Sequence, residues 1–174
     1  MRTVFLSLRR FSLLLATALF LLPSCRVSYS FTGASISPSV KSVTIPYFSN
    51  NAGLVVPTLS RTLTDALRDY FTTQTNLVQV SQGGDLQLDG AITQYFIQPV
   101  AIQGNETAAM NRLTITVSVK FTNKTDPKQN WETTFSRYAD YASSLNLPSV
   151  QEGLIKEITD YLVDDIFKKA VVNW

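Results

Sequence analysis

Side chains able to do covalent or acid–base chemistry are sparse in this sequence. Its 174 residues include one cysteine, Cys25, and no histidine. That removes the commonest general base and the commonest metal ligand. No Gly-x-Ser-x-Gly turn is present to expose a nucleophilic serine. Gly83-Gly84 is not followed by the Lys-Ser/Thr pair that a phosphate loop requires. Asp160, Asp164 and Asp165 fall on one predicted helix with Lys156 and Lys168. Opposite charges at such spacing read as a solvated helix face rather than as paired catalytic carboxylates. Asn105-Glu-Thr and Asn123-Lys-Thr match the glycosylation sequon, a pattern short enough to recur by chance. The sequence therefore predicts no enzyme, no cofactor and no metal.

Cys25 has a different use. It follows Arg2, Arg9 and Arg10, an apolar run from Phe11 to Leu22, and Pro23-Ser24. A basic start, an apolar stretch and a small residue describe a secretory leader. As a helix the run covers about 18 Å, short of the ~20 residues that a stable span needs. Leu22-Pro23-Ser24-Cys25 resembles the lipobox of bacterial lipoproteins, whose cysteine is acylated and becomes the mature N-terminus; the alternative is a buried free thiol ending a core helix. Position 26 is Arg rather than the aspartate that retains such lipoproteins at the inner membrane, and no acidic cluster follows. The resemblance thus implies a lipid anchor in the outer membrane, with the domain facing the periplasm.

Loss of residues 1–24 leaves 150 residues and changes the charge from +2 to −1, with 12 basic against 13 acidic side chains. No basic field remains to attract nucleic acid. The expected organisation is a 1–24 signal peptide, a 25–38 lipidated tether rich in Ser, Thr and Tyr, and a single domain over 39–174.

Within that domain Val40 to Pro46 alternates as a short strand, and Phe48-Ser-Asn-Asn-Ala-Gly reads as a loop. Pro57-Thr58 opens a helix whose stripe is Leu59, Leu63, Ala66, Leu67, Tyr70 and Phe71, with Arg61, Asp65, Arg68 and Asp69 on a solvated side. Leu77 to Val80 adds a short strand, parallel to the first through a right-handed crossover. Three long strands follow. The first starts at Leu86 and carries a bulge near Gly90 or Gln94. The second alternates Leu113, Ile115, Val117, Val119 and Phe121 with Thr114, Thr116, Ser118, Lys120 and Thr122. The third returns from Trp131 towards Tyr141, and a polar loop from Pro99 to Asn111 joins the first two. Ser149-Val-Gln-Glu152 reads as a capping box for a last helix with Leu154, Ile155, Ile158, Leu162, Ile166 and Ala170 on one stripe. The expected fold is α+β: two amphipathic helices on one face of a mixed, mostly antiparallel sheet of four or five strands, the Thr- and Ser-rich face left open or covered by a partner.

With the lipobox, this element order resembles the lipopolysaccharide-assembly lipoprotein family, LptE. The resemblance rests on Thr107-Ala-Ala-Met-Asn-Arg-Leu-Thr-Ile-Thr-Val-Ser-Val entering the central strand, on Leu154-Ile-Lys-Glu-Ile opening the last helix, and on Ser60 to Phe71. It implies an outer-membrane lipoprotein that plugs a large β-barrel translocon, LptD, assists its folding, and meets lipopolysaccharide. The family's basic lipopolysaccharide contacts correspond here to Ala101-Ile-Gln-Gly-Asn-Glu and Asn146-Leu-Pro-Ser, which hold no Lys or Arg. The substitutes nearest to hand are Arg112, Lys124 and Lys128. A different function class stays open: a periplasmic lipoprotein binding an apolar ligand in a pocket beneath the 99–111 loop or on the open sheet face. A hydrolase has the least support.

Overall fold

A computed structural model describes residues 36–100 and 109–171. Cys25, the expected leader and most of the tether lie outside them, as does the stretch 101–108 that includes the Asn105 sequon.

Strict alternation produces the three long strands: β4 (Leu86–Val100), β5 (Met110–Asn123) and β6 (Trp131–Ala142). Leu113, Ile115, Val117, Val119 and Phe121 are buried on one face of β5, as period-two patterning requires. The short strands β1 (Ser42–Thr44), β2 (Ser49–Asn50) and β3 (Val78–Gln79) complete a six-stranded sheet in the order β3-β1-β4-β5-β6, with β2 also on β4. β1 is parallel to β3 and to β4, β2 is parallel to β4, and the long strands are antiparallel. The expected parallel pair is present. The strand count is six because β2 lies in the segment read as a loop. Two residues without alternation leave no period for sequence reasoning to detect.

Two helices, α1 (Pro57–Gln74) and α2 (Leu147–Val171), cover the dry face. Leu59, Leu63, Leu67 and Phe71 of α1 are fully buried, with Ala66 and Tyr70 at the margin. The buried arc of α2 is wider than its expected stripe, adding Thr159, Val163 and Phe167. The reason is a second partner: Phe167 meets the rings of Tyr70 and Phe71 edge-on at 4.9 and 5.1 Å, so α2 packs against both the sheet and α1. The Thr159 hydroxyl is buried there without a partner.

Three local expectations change. The last helix starts at Leu147, so Ser149 lies inside its first turn and its hydroxyl donates to the Asn146 carbonyl at 2.6 Å rather than capping Glu152. Leu154 to Ile158 is accordingly interior rather than opening sequence. The 99–111 loop is shorter than expected, because Pro99 pairs with Asn111 and Val100 with Met110. Arg68 does more than join a solvated face: besides its surface pair with Asp65 at 3.9 Å, its Nε and Nη2 donate to the Ile45 carbonyl at 3.0 and 2.8 Å, closing the end of β1.

The register break in β4 falls between Ile92 and Gln94. Gly90 is not part of it. A Cβ there would meet the Phe48 ring and lie 2.6 Å from the Ser118 carbonyl oxygen. The glycine makes room for Phe48, which is fully buried, a close approach of the kind that selects Gly inside a strand. Gly90→Ala is expected to cost about 1–3 kcal/mol, read as a lower urea midpoint with unchanged slope; an unchanged midpoint would refute the contact.

Asp85 ties β1 to β4. Its Oδ2 accepts the backbone N–H groups of Lys41 (2.8 Å) and Ser42 (3.0 Å) and the Ser42 hydroxyl (2.9 Å). The Lys41 N–H is the main reason its carboxyl titrates below the ordinary 3.8, followed by the Ser42 hydroxyl. A depressed folded-state value means that this stabilisation is complete above the unfolded-state pKa and is lost as pH falls through the folded one. Asp85→Asn should therefore unfold at lower urea than the wild type at neutral pH, with the two midpoints converging below about pH 4. A gap that persists in acid would assign the effect to shape rather than charge.

Candidate functional site

The helix-free face of the sheet is built by the same registers in reverse. Across β4, β5 and β6 its rows are Gln98–Arg112–Asp140, Phe96–Thr114–Tyr138, Gln94–Thr116–Ser136, Ala91–Ser118–Thr134 and Asp89–Lys120–Glu132. Gln94, Thr116 and Ser136 are linked side chain to side chain at 3.1–3.2 Å. The middle of the face is a carpet of hydroxyl and amide side chains, half-buried along β5 and exposed at Gln94, Thr134 and Ser136.

One end of it differs. Phe96 and Tyr138 stand on either side of Thr114 and are 48% and 52% exposed, a high value for rings at the centre of strands. The Arg112 guanidinium lies 3.6 Å from the centre of the Tyr138 ring. It also donates through Nε and Nη2 to the two oxygens of Asp140 at 2.7 and 2.8 Å. This fork holds the Asp140 carboxyl below its usual range, the Arg112 hydrogen bond being the main cause. Arg112 thus makes a bidentate pair and a cation–π contact at once, which fixes the Tyr138 ring.

The three cationic residues singled out from sequence do not form one site. Arg112 enters β5 near the 101–108 end, whereas Lys124 follows its last residue and Lys128 sits in the 3-10 turn Pro127–Gln129. Twelve residues of strand separate Arg112 from Lys124, about 40 Å. No single headgroup spans that distance. Arg112 is committed to Asp140 and Tyr138; Lys124 and Lys128 are exposed and take part in none of the ion pairs among the described residues.

Asp164 and Asp165 of α2 are also engaged. Asp165 receives both Nε and Nη2 of Arg137 from β6 at 2.5 and 2.7 Å. Asp164 accepts the Tyr70 hydroxyl at 3.1 Å and the Lys168 ammonium at 2.6 Å. Burial raises the Tyr70 pKa, and the bond to Asp164 adds to that. These carboxylates hold helix to sheet and helix to helix, a structural role more specific than the solvated face read from sequence. Among the described residues no His, Cys, Asp and Glu group gathers as a metal site.

A recess lined by Ile36, Val40, Leu86, Asn123, Gln129 and Val171 has about 20 Å³ of space, enough for one water and too little for an acyl chain. Phe48 belongs to the core, while Tyr47 is 58% exposed. The aromatic pair on the open face was missed by sequence reading. Its one signal was the position of Tyr138 on the Thr/Ser side of β6; Phe96 changes side only because of the β4 bulge.

The model of the family described as "Lipopolysaccharide-assembly", LptE, matches residues 40–170. No curated protein matches the sequence. Among solved structures, protein XCC0632 of Xanthomonas campestris is 10% identical with a TM-score of 0.50, over 80% of this chain and 90% of that one. A minor lipoprotein of Acinetobacter baumannii is 15% identical with a TM-score of 0.45, over 71% and 91%. Lipoprotein B of Nitrosomonas europaea is 15% identical with a TM-score of 0.47, over 82% and 87%. At such identity the first likeness speaks to the fold alone, and the other two carry no argument. The family match runs from β1 to the last turn of α2, taking in both helices, the central strand and the whole hydroxyl face: the chain belongs to the lipopolysaccharide-assembly lipoprotein family, LptE.

Proposed function

We propose that this protein is an outer-membrane lipoprotein, anchored through acylated Cys25, that plugs an LptD-like β-barrel translocon and assists its assembly in lipopolysaccharide transport. The observation that carries the reading is the open sheet face. The lumen of a large outer-membrane barrel is polar and wet, and a surface that fills it should be polar as well. Rows of Thr, Ser and Gln three strands wide meet that requirement, where an apolar face would not.

Phe96, Tyr138 and Arg112 supply the anchor points. Tyr and Arg dominate the energetics of protein interfaces, and such residues act when already held in place. Arg112 serves Tyr138 as a positioning residue in this reading rather than gripping a lipopolysaccharide phosphate. The alternative of an apolar ligand would place it beneath the 99–111 loop or on the open face; the recess at the opposite end of the sheet has no acyl-sized space.

A photocrosslinking side chain at position 138 in cells is expected to capture a large outer-membrane β-barrel. Phe96→Ala with Tyr138→Ala should lower co-purification of that barrel at least about tenfold and leave lipopolysaccharide short of the cell surface. Capture of soluble periplasmic proteins alone would sink the proposal.

A further inference from the structure

We propose that the end of the domain at which the tether arrives is a docking surface for an anionic phospholipid bilayer, formed by Lys41, Lys124, Lys128 and Lys169. Most of the other cations among the described residues are already engaged. Arg112, Arg137, Lys156 and Lys168 lie 2.5–2.7 Å from carboxylates. Arg68 is spent on the Ile45 carbonyl, and Lys120 stands in register between Asp89 and Glu132. Arg61 is exposed on α1. The four remaining lysines are exposed, make no ion pair among the described residues, and are all found at one end of the sheet.

Their proximity follows from backbone contacts. The amides of Lys41 and Lys124 both bond to Asp85, one to its carboxylate at 2.8 Å and the other to its carbonyl at 2.9 Å. Lys128 follows in the adjoining turn, and the Lys169 ammonium is 5.5 Å from the Trp131 ring beside Phe121. The acidic residues here are Asp85 and Asp126. Asp85 is occupied by Lys41 and Ser42, and Asp126 accepts the Lys128 backbone N–H. These four lysines and two aspartates sum to +2, and the next row inward, Asp89–Lys120–Glu132, lowers this to +1, on a chain whose expected mature charge is −1.

The chain outside the structure supplies the second argument. Ile36, the first described residue, lies in the recess between the 123–129 turn and the end of α2. Eleven residues back is Cys25, at most about 40 Å away when extended. An acyl anchor at Cys25 would hold the domain from this end, the one nearest to the lipid along the chain. Charged side chains act over about a Debye length, roughly 8–10 Å, and a lipid chain joined to a basic patch is a stable two-signal attachment. The inference rests on the anchored-lipoprotein reading and is independent of the barrel.

The test uses the full chain incorporated into vesicles of phosphatidylcholine with or without phosphatidylglycerol, with a benzophenone side chain at position 129 or, at the far end, 144. A phosphatidylglycerol adduct is expected at 129, at least about tenfold above that at 144. It should fall by a similar factor with Lys41→Gln, Lys124→Gln, Lys128→Gln and Lys169→Gln together, and survive when the four are changed to Arg. Equal yields at the two positions, or yields indifferent to the four charges, would overturn the proposal. So would a lysine-dependent adduct that forms only when the vesicles carry lipopolysaccharide, which would return these residues to that ligand. No barrel is present in the vesicles, so either result leaves the barrel reading to its own test.

Discussion

The period-two alternation along β5 is the constraint on which the other elements depend. A strand with one face of Leu, Ile, Val and Phe and the other of Thr, Ser, Arg and Lys cannot slip by one residue without moving every apolar side chain into water. That fixes the dry side, and the helices have nowhere else to bury their stripes. It also fixes the partners. Before the break in β4, Leu88 and Ile92 face the helices; after it, Tyr95 and Ile97 do. One extra residue at Thr93 has switched the parity. Without it Phe96 would point into the core, and Tyr95 would lose its contact with Gln151 of α2. The exposed aromatic pair is therefore a consequence of a bulge that keeps the core matched to β5.

Much of this was legible from residue types alone, and the failures have a common cause. The long strands and both helices follow from periodicity over five or more residues, and the parallel short pair from the handedness of a strand–helix–strand crossover. β2 is two residues long and owes its pairing to β4 rather than to its own pattern. Of the two places where the sequence allows a bulge, Gln94 is the right one; Gly90 competes with it because a glycine needed for close approach looks the same in sequence as a glycine needed for a kink, and the difference is Phe48, forty-two residues earlier. Ser149 and Glu152 have capping-box spacing, yet helix α2 runs on two residues further because Leu147 packs against the core and Pro148 is tolerated in a first turn. At β2 there was no local signal to read; at Gly90 and Ser149 tertiary packing overrode one that was seen.

Charge is where sequence reading had least to offer. Arg112, Lys124 and Lys128 look alike as cations in polar stretches, and only the register tells them apart. Arg112 is opposite Asp140 because β5 and β6 pair as they do. The lysines follow the last residue of β5, where no strand supplies a carboxylate opposite. The same logic applies to α2, whose Asp164 and Asp165 appear as surface charges until Tyr70 and Arg137 arrive from other elements. Bidentate and hydrogen-bonded pairs of this sort stabilise modestly when half exposed. Their larger effect is to decide which charges remain for something outside the domain.

The two functional readings are tied together by the stiffness of one strand. From Lys124 back to Thr114, between Phe96 and Tyr138, is ten residues of continuously paired β5, about 33 Å. If the lysine end rests on the headgroups, a flat hydroxyl face and its aromatic pair stand well beyond the reach of bilayer charge, whose influence fades within about 10 Å. A contact made there is a contact with protein. The sheet also cannot turn freely about its tether, since four lysines on different elements would have to leave the surface together. In that arrangement an acyl chain would set where the domain is and the lysines which end is down, while the register of β5 sets what the far end presents.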